Sequence, residues 1–173
     1  LKKFYERRAR RIFPALFLVI ISCIPFAWMW IDPMYFRDFA QSLVAMGFFA
    51  SNILFWQESN YFGPAAEVKP LLPTWSLSIE EQFYVLFPIL LIIVFKFARR
   101  YMNWVLLGAL LFSLLLSEYT SKQDSLTSLF MIHTRAWELL TGGYIAYLGT
   151  RNVFAVNESA SKVLTLFGVG LIL

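Results

Sequence analysis

The stretch IFPALFLVIISCIPFAWMWI, residues 12–31, holds twenty residues without a charge. A helix of that length crosses the ~30 Å hydrocarbon layer of a membrane. Pro14 stands near its start, where a missing N–H costs little, and Pro25 stands deeper, where a kink is expected. Directly before the run come Lys2, Lys3, Arg7, Arg8, Arg10 and Arg11 against one acid, Glu6: a balance of +5 in a chain whose total is +4. A basic cluster abutting an apolar span marks the cytoplasmic side. The span that follows argues against nucleic acid as its partner.

The rest of the chain has the same character. Of 173 residues 59% are apolar and 15% charged, against about one-quarter charged in soluble domains, and the mean hydropathy is +0.62. Further candidate spans are 36–56, 76–95, 102–117, 134–148 and 163–173. No strand alternation is seen, so the expected fold class is all-α: a polytopic transmembrane helical bundle, one domain over 1–173. The chain opens on Leu1 and closes inside an apolar run at Leu173, and reads as an internal piece of a longer protein. Nothing at its start resembles a cleavable signal peptide. The single cysteine, Cys23, reads as packing. Simple alternation of spans puts Lys96, Arg99 and Arg100 on the wrong side for the positive-inside bias, and a re-entrant 36–56, with polar Gln41, Ser42, Ser51 and Asn52, is the simplest remedy.

Four stretches carry chemistry. In FYERRARRIFP, residues 4–14, a helix puts Phe4, Arg8 and Arg11 in one stripe with Arg7 beside it. Topology alone accepts any mixture of Lys and Arg, yet the part nearest the membrane is all Arg. Guanidinium binds phosphate bidentately, so the face suits a polyphosphorylated ligand or anionic lipid heads as well as a topological role. In PTWSLSIEEQFY, residues 73–84, Ser78 and Glu81 fit a capping box and Glu80 sits near a positive helix start. Carboxylates leading into an apolar span also mark a functional site, and Glu80 is the harder of the two to explain structurally. In TRAWELLTGG, residues 134–143, Arg135 and Glu138 can pair at i, i+3, while Glu138, Gly142 and Ala146 share a face for close helix approach. The fourth stretch, Asn60–Pro64 and Leu71–Pro73, is turn-rich chain of a kind that folds back over a bundle. His133, the sole histidine, reads as a loop residue without a chemical role, and no second His or Cys stands at ligand spacing for a metal.

Together with SNILFW at 51–56 and PLLPTWSLSIEEQFYVLFP at 70–88, these stretches resemble the membrane-bound acyltransferase family 3, which includes O-antigen acetylases. The resemblance implies a bundle of about ten helices. It implies a multi-pass protein of the bacterial inner membrane that transfers an acyl group, acetyl by preference, from acyl-CoA to a hydroxyl of an envelope glycan or glycolipid, lipopolysaccharide among them. The family's arginine pair maps onto Arg8 and Arg11, with Arg7 alongside as donor-binding; its acidic tandem maps onto Glu80 and Glu81, as supporting catalytic groups. Its later motif maps onto Arg135 and Glu138, with Trp75 and Ser76 supporting the site. The family's catalytic histidine belongs to a helix preceding Leu1, so this stretch is expected to be inactive by itself. A transporter or flippase is the main alternative, and a structural module gripping anionic lipid the second.

Overall fold

The computed structural model describes residues 2–59 and 69–151, and among them every regular element is a helix. The first, α1 (Lys2–Trp30), has 29 residues and runs through Pro14 and Pro25 without interruption. At 1.5 Å per residue it is about 44 Å long, so its basic start continues the span outward as helix. Only Leu16 and Ala27 on it are buried, whereas Phe17, Leu18, Ile21 and Trp28 face outward. An apolar face of that size needs lipid or further helices to cover it.

Asp32 ends α1 and caps α2 (Pro33–Gly47): its carboxylate accepts from the Met34 amide at 2.9 Å and Pro33 takes the first helical position. The expected span 36–56 is two helices, α2 and the short α3 (Ser51–Glu58). They are parted at Phe49, whose φ is 52°, a left-handed conformation costly for a side-chain-bearing residue. Gln82 holds that corner by donating to the Phe49 carbonyl at 2.8 Å. With 15 and 8 residues, neither helix crosses a membrane alone.

After a turn at 69–73, α4 (Thr74–Phe97) leads through a short 3-10 turn at Arg99–Tyr101 into α5 (Met102–Gln123), longer than the expected 102–117. α6 (Ser125–Phe130) follows at once, capped by Asp124. The Thr127 hydroxyl, then the Thr127 and Leu126 amides, hold the Asp124 carboxyl below its ordinary value. α7 is Ile132–Thr150, so His133 lies in its first turn, not in a loop. The candidate 163–173 and the turn at 60–64 lie outside the described residues.

Among the described residues three helices are long and apolar enough to span a membrane: Lys2–Trp30, Thr74–Phe97 and Arg99–Gln123. The molecule is thus an all-α, membrane-spanning bundle. α1 and α4 run antiparallel. The Tyr5 hydroxyl meets the Val85 carbonyl at 3.4 Å and Arg8 meets Tyr84, while farther along α1 Leu16 and Val19 face Leu71 and Pro70 across one cavity. The basic end of α4 at Lys96, with Arg99 and Arg100, therefore lies on the same side as the basic start of α1. Residues 36–56 fall on a bent pair of helices rather than one span.

Two cores hold the bundle. Leu16, Ala27, Phe39, Met46, Phe55, Leu71 and Phe130 form one across α1, α2, α3, α6 and the 69–73 turn. Val94, Met102 and Leu106 form the other, where α4 and α5 meet Tyr144 and Tyr147 of α7. The buried Ser113 hydroxyl joins α5 to α7, donating to the His133 carbonyl at 2.7 Å and accepting from the Trp137 amide at 3.0 Å.

The close approach of α7 falls at Gly143, not at the expected Gly142 face. A methyl on Gly143 would stand 2.9 Å from the Phe87 ring, itself stacked on Phe83 at 4.9 Å, whereas one on Gly142 meets nothing within 4 Å. Gly143→Ala should therefore destabilise the protein by about 1 kcal/mol through overpacking. Gly142→Ala should be neutral or stabilising, because a helical glycine is replaced in open space. Thermal unfolding in detergent separates them, and coincident melting curves for the two variants would contradict the close approach.

Candidate active site

On α1, Arg8, Arg11, Ala15 and Val19 recur at three- and four-residue spacing and so share one face. On α4, Leu77, Glu80, Glu81 and Tyr84 do the same. Because the two helices are antiparallel, these faces meet across one cavity of about 670 Å³, lined also by Pro70, Leu71 and Pro73. The arginine pair and the acidic pair, about 70 residues apart in sequence, open on the same space.

The cavity is charged at one end and apolar at the other. The Arg8 guanidinium carbon lies 3.6 Å from the Tyr84 ring centre and 5.6 Å from that of Phe4. A cation over an aromatic face is attracted there without using its N–H donors. Ile12, Ala15, Leu16, Val19 and Leu77 supply the apolar part. The two acids differ. Glu80 is exposed at the rim, whereas Glu81 is half-buried and its Oε1 has no hydrogen-bond partner among the described residues.

The capping box is not formed. α4 starts at Thr74 behind Pro73, a turn earlier than Ser78, and the buried Ser78 hydroxyl pairs with that of Ser51 at 2.7 Å. Without a capping duty, Glu81 becomes the acid harder to explain structurally, the reverse of the order expected from sequence. Arg7 is exposed, away from the cavity lining, and Arg10 pairs with Glu6 at 2.8 Å on the outer surface.

Trp75, Ser76, Arg135 and Glu138 do not line this cavity. Arg135 grips both carboxylate oxygens of Glu138 at 2.9 Å and lies 5.2 Å from the Trp75 ring centre. Trp75 in turn meets Phe130 edge-on at 5.3 Å. This cluster locks α7 to the start of α4. The Ser76 hydroxyl is exposed and only returns to the Pro73 carbonyl.

A buried polar hub behind the acids escaped the sequence reading. Gln82 donates to the Phe49 carbonyl and to Asn52 Oδ1, both at 2.8 Å, while Asn52 Nδ2 donates to the Phe130 carbonyl at 3.0 Å. Thr74 Oγ1 reaches Ser51 Oγ at 3.2 Å. The legible trace was the spacing of Thr74, Ser78 and Gln82, at i, i+4 and i+8 on a face of α4 adjoining the acids. Among the described residues no group of three or more His, Cys, Asp or Glu could hold a metal.

A family model for acyltransferase domains, that of acyltransferase family 3, matches residues 1–173. The chain belongs to this family. An uncharacterized protein of Haemophilus influenzae is 28% identical over 178 residues, covering 96% of this chain and 71% of that protein. The family also includes similar proteins with named activities. The peptidoglycan O-acetyltransferase OatA of Listeria monocytogenes is 28% identical over 178 residues, covering 97% of this chain and 28% of the relative. The O-acetyltransferase OatA of Staphylococcus aureus is 30% identical over 168 residues, covering 94% and 27%. The chain thus spans about a quarter of the length of those two acetyltransferases. No solved structure gives a significant match.

Proposed function

We propose that this chain is the core of an integral-membrane O-acyltransferase that moves an acetyl group from acetyl-CoA to a hydroxyl of a cell-envelope glycan in the bacterial inner membrane. The observation that carries the reading is the single cavity shared by Arg8, Arg11, Glu80 and Glu81. The donor's phosphates suit the guanidinium pair, which binds them through forked, charge-assisted hydrogen bonds. Its apolar arm suits the lining of Ala15, Val19 and Leu77.

In the reaction the acceptor oxygen attacks the thioester carbonyl carbon, a C–O bond forms, the C–S bond breaks, and the hydroxyl proton passes to a base as the thiolate leaves. A hydroxyl is a weak nucleophile and needs that base positioned. In this reading Glu81, with one carboxylate oxygen free of partners among the described residues, orients the base or the acceptor. Glu80 at the rim has the lesser share. The relatives named as peptidoglycan and O-acetyltransferases support glycan as the acceptor class.

The test is transfer of labelled acetyl from acetyl-CoA to glycan by the full-length protein in native membranes. Glu81→Gln should lower kcat by about 100-fold, the lower end of what a positioned acid–base group supplies. Glu80→Gln should lower it by less. Normal transfer by well-expressed Glu81→Gln would remove that residue from the mechanism. A protein that carries substrates across without covalent chemistry would leave no label on the glycan.

A further inference from the structure

A second cavity, of about 360 Å³, lies at the other end of α1, where no charge cluster or motif had drawn attention. Cys23, Phe26 and Trp30 line it from α1, Asp32 and Tyr35 from the α1–α2 corner, and Pro70 from the turn before α4. Pro70 also lines the arginine–glutamate cavity. Val19 belongs to the first cavity and Cys23, one helical turn on, to the second. The two spaces therefore abut along one face of α1. From Arg11 to Trp30 is 19 residues, about 28 Å of helix, close to the full hydrocarbon thickness. This cavity lies at the end of α1 remote from its basic start.

Its chemistry differs from that of a phosphate site. Phe26 and Trp30 stand 5.2 Å apart, ring centre to ring centre, and the indole is largely exposed. Asp32 uses Oδ1 to cap α2, and the Tyr35 hydroxyl has no partner among the described residues. An aromatic platform beside a carboxylate and a phenol fits a saccharide: its C–H face stacks on the rings and its hydroxyls hydrogen-bond at the edge. We propose that the cavity between Trp30, Asp32, Tyr35 and Pro70 is the acceptor-saccharide subsite, feeding a glycan hydroxyl past Pro70 toward the donor cavity. The assignment rests on the acyl-transfer reading for its role, though not for its binding chemistry. A belt of interfacial aromatics is the plainer account of Trp30. It calls for neither the carboxylate nor the shared wall.

Cys23, half-buried in this cavity, is a native reporter. Its labelling by a membrane-impermeant maleimide, read by mass spectrometry of the Cys23 peptide, should be slowed several-fold by soluble N-acetylglucosamine–N-acetylmuramate fragments. Trp30→Leu should abolish that protection. Asp32→Asn, which keeps the helix cap, should weaken it. In transfer assays Trp30→Leu should raise KM for the glycan about tenfold, the order of one aromatic contact, and leave KM for acetyl-CoA unchanged. Labelling indifferent to the fragments, or equal shifts in both KM values, overturns the subsite. In the full-length protein, protection without acetyl transfer keeps the subsite and overturns the enzyme reading; transfer without protection does the reverse.

Discussion

Arg8→Lys should raise KM for acetyl-CoA by about 30-fold while the protein inserts and folds normally. The substitution keeps the charge, so anything that depends on charge alone, including the positive-inside bias, is unaffected. What it removes is the planar fork. The Arg8 guanidinium carbon lies 3.6 Å from the Tyr84 ring centre, and both side chains line the cavity. An ammonium can sit over the same ring, but it binds phosphate as a point charge. Losing one charge-assisted, bidentate contact costs about 2 kcal/mol, which is about 30-fold in affinity. Tyr84→Phe keeps the ring and should behave as wild type, whereas Tyr84→Leu should resemble Arg8→Lys. Arg7→Lys is the control, because Arg7 is exposed and does not line the cavity. If Arg8→Lys and Arg7→Lys both leave KM for the donor unchanged, the arginines serve topology only.

The same residues show what sequence could disclose. The face bearing Arg8 and Arg11 was legible, because it follows from local helical spacing on a segment whose apolar run leaves little choice of structure. Its meeting with Glu80 and Glu81 was not, because the pairing of α1 with α4 is a long-range event decided by the shape of everything between them. That shape turns on Phe49. Left-handed corners are read from Gly or Asn, and Phe gives no such signal. The conformation is held by Gln82, 33 residues away. The Ser78–Glu81 spacing misled for a related reason. Capping pairs are local patterns, and here the helix had already started behind Pro73, leaving Ser78 to bond Ser51. Small residues in α7 were visible, but which of Gly142 and Gly143 faces Phe87 depends on the rotation of the helix, which sequence leaves open.

Lys69→Met should destabilise the protein by about 3 kcal/mol, near the lower bound for breaking a buried ion pair. Lys69 Nζ lies 2.9 Å from Glu58 Oε2, with side chains 6% and 17% exposed, and 5.9 Å from the ring centre of the fully buried Phe55. The pair ties the end of α3 to the turn that supplies Pro70 and Leu71, and those residues line the cavity shared by Arg8, Arg11, Glu80 and Glu81. Removing the cation leaves a carboxylate with little water and no counter-charge, so the loss comes from the group left behind rather than from the bond removed. A second substitution tests that distinction directly. Lys69→Met combined with Glu58→Leu should regain most of the lost stability, because two apolar side chains can occupy the space that one unpaired charge cannot. Thermal unfolding in detergent reads both variants. If Lys69→Met melts with the wild type, the pair is no anchor. If the double variant is as unstable as the single one, the pair contributes through its own attraction rather than through mutual neutralisation. Recovered stability with acyl transfer still impaired would place the role of Lys69 in holding Pro70 and Leu71 at the cavity wall.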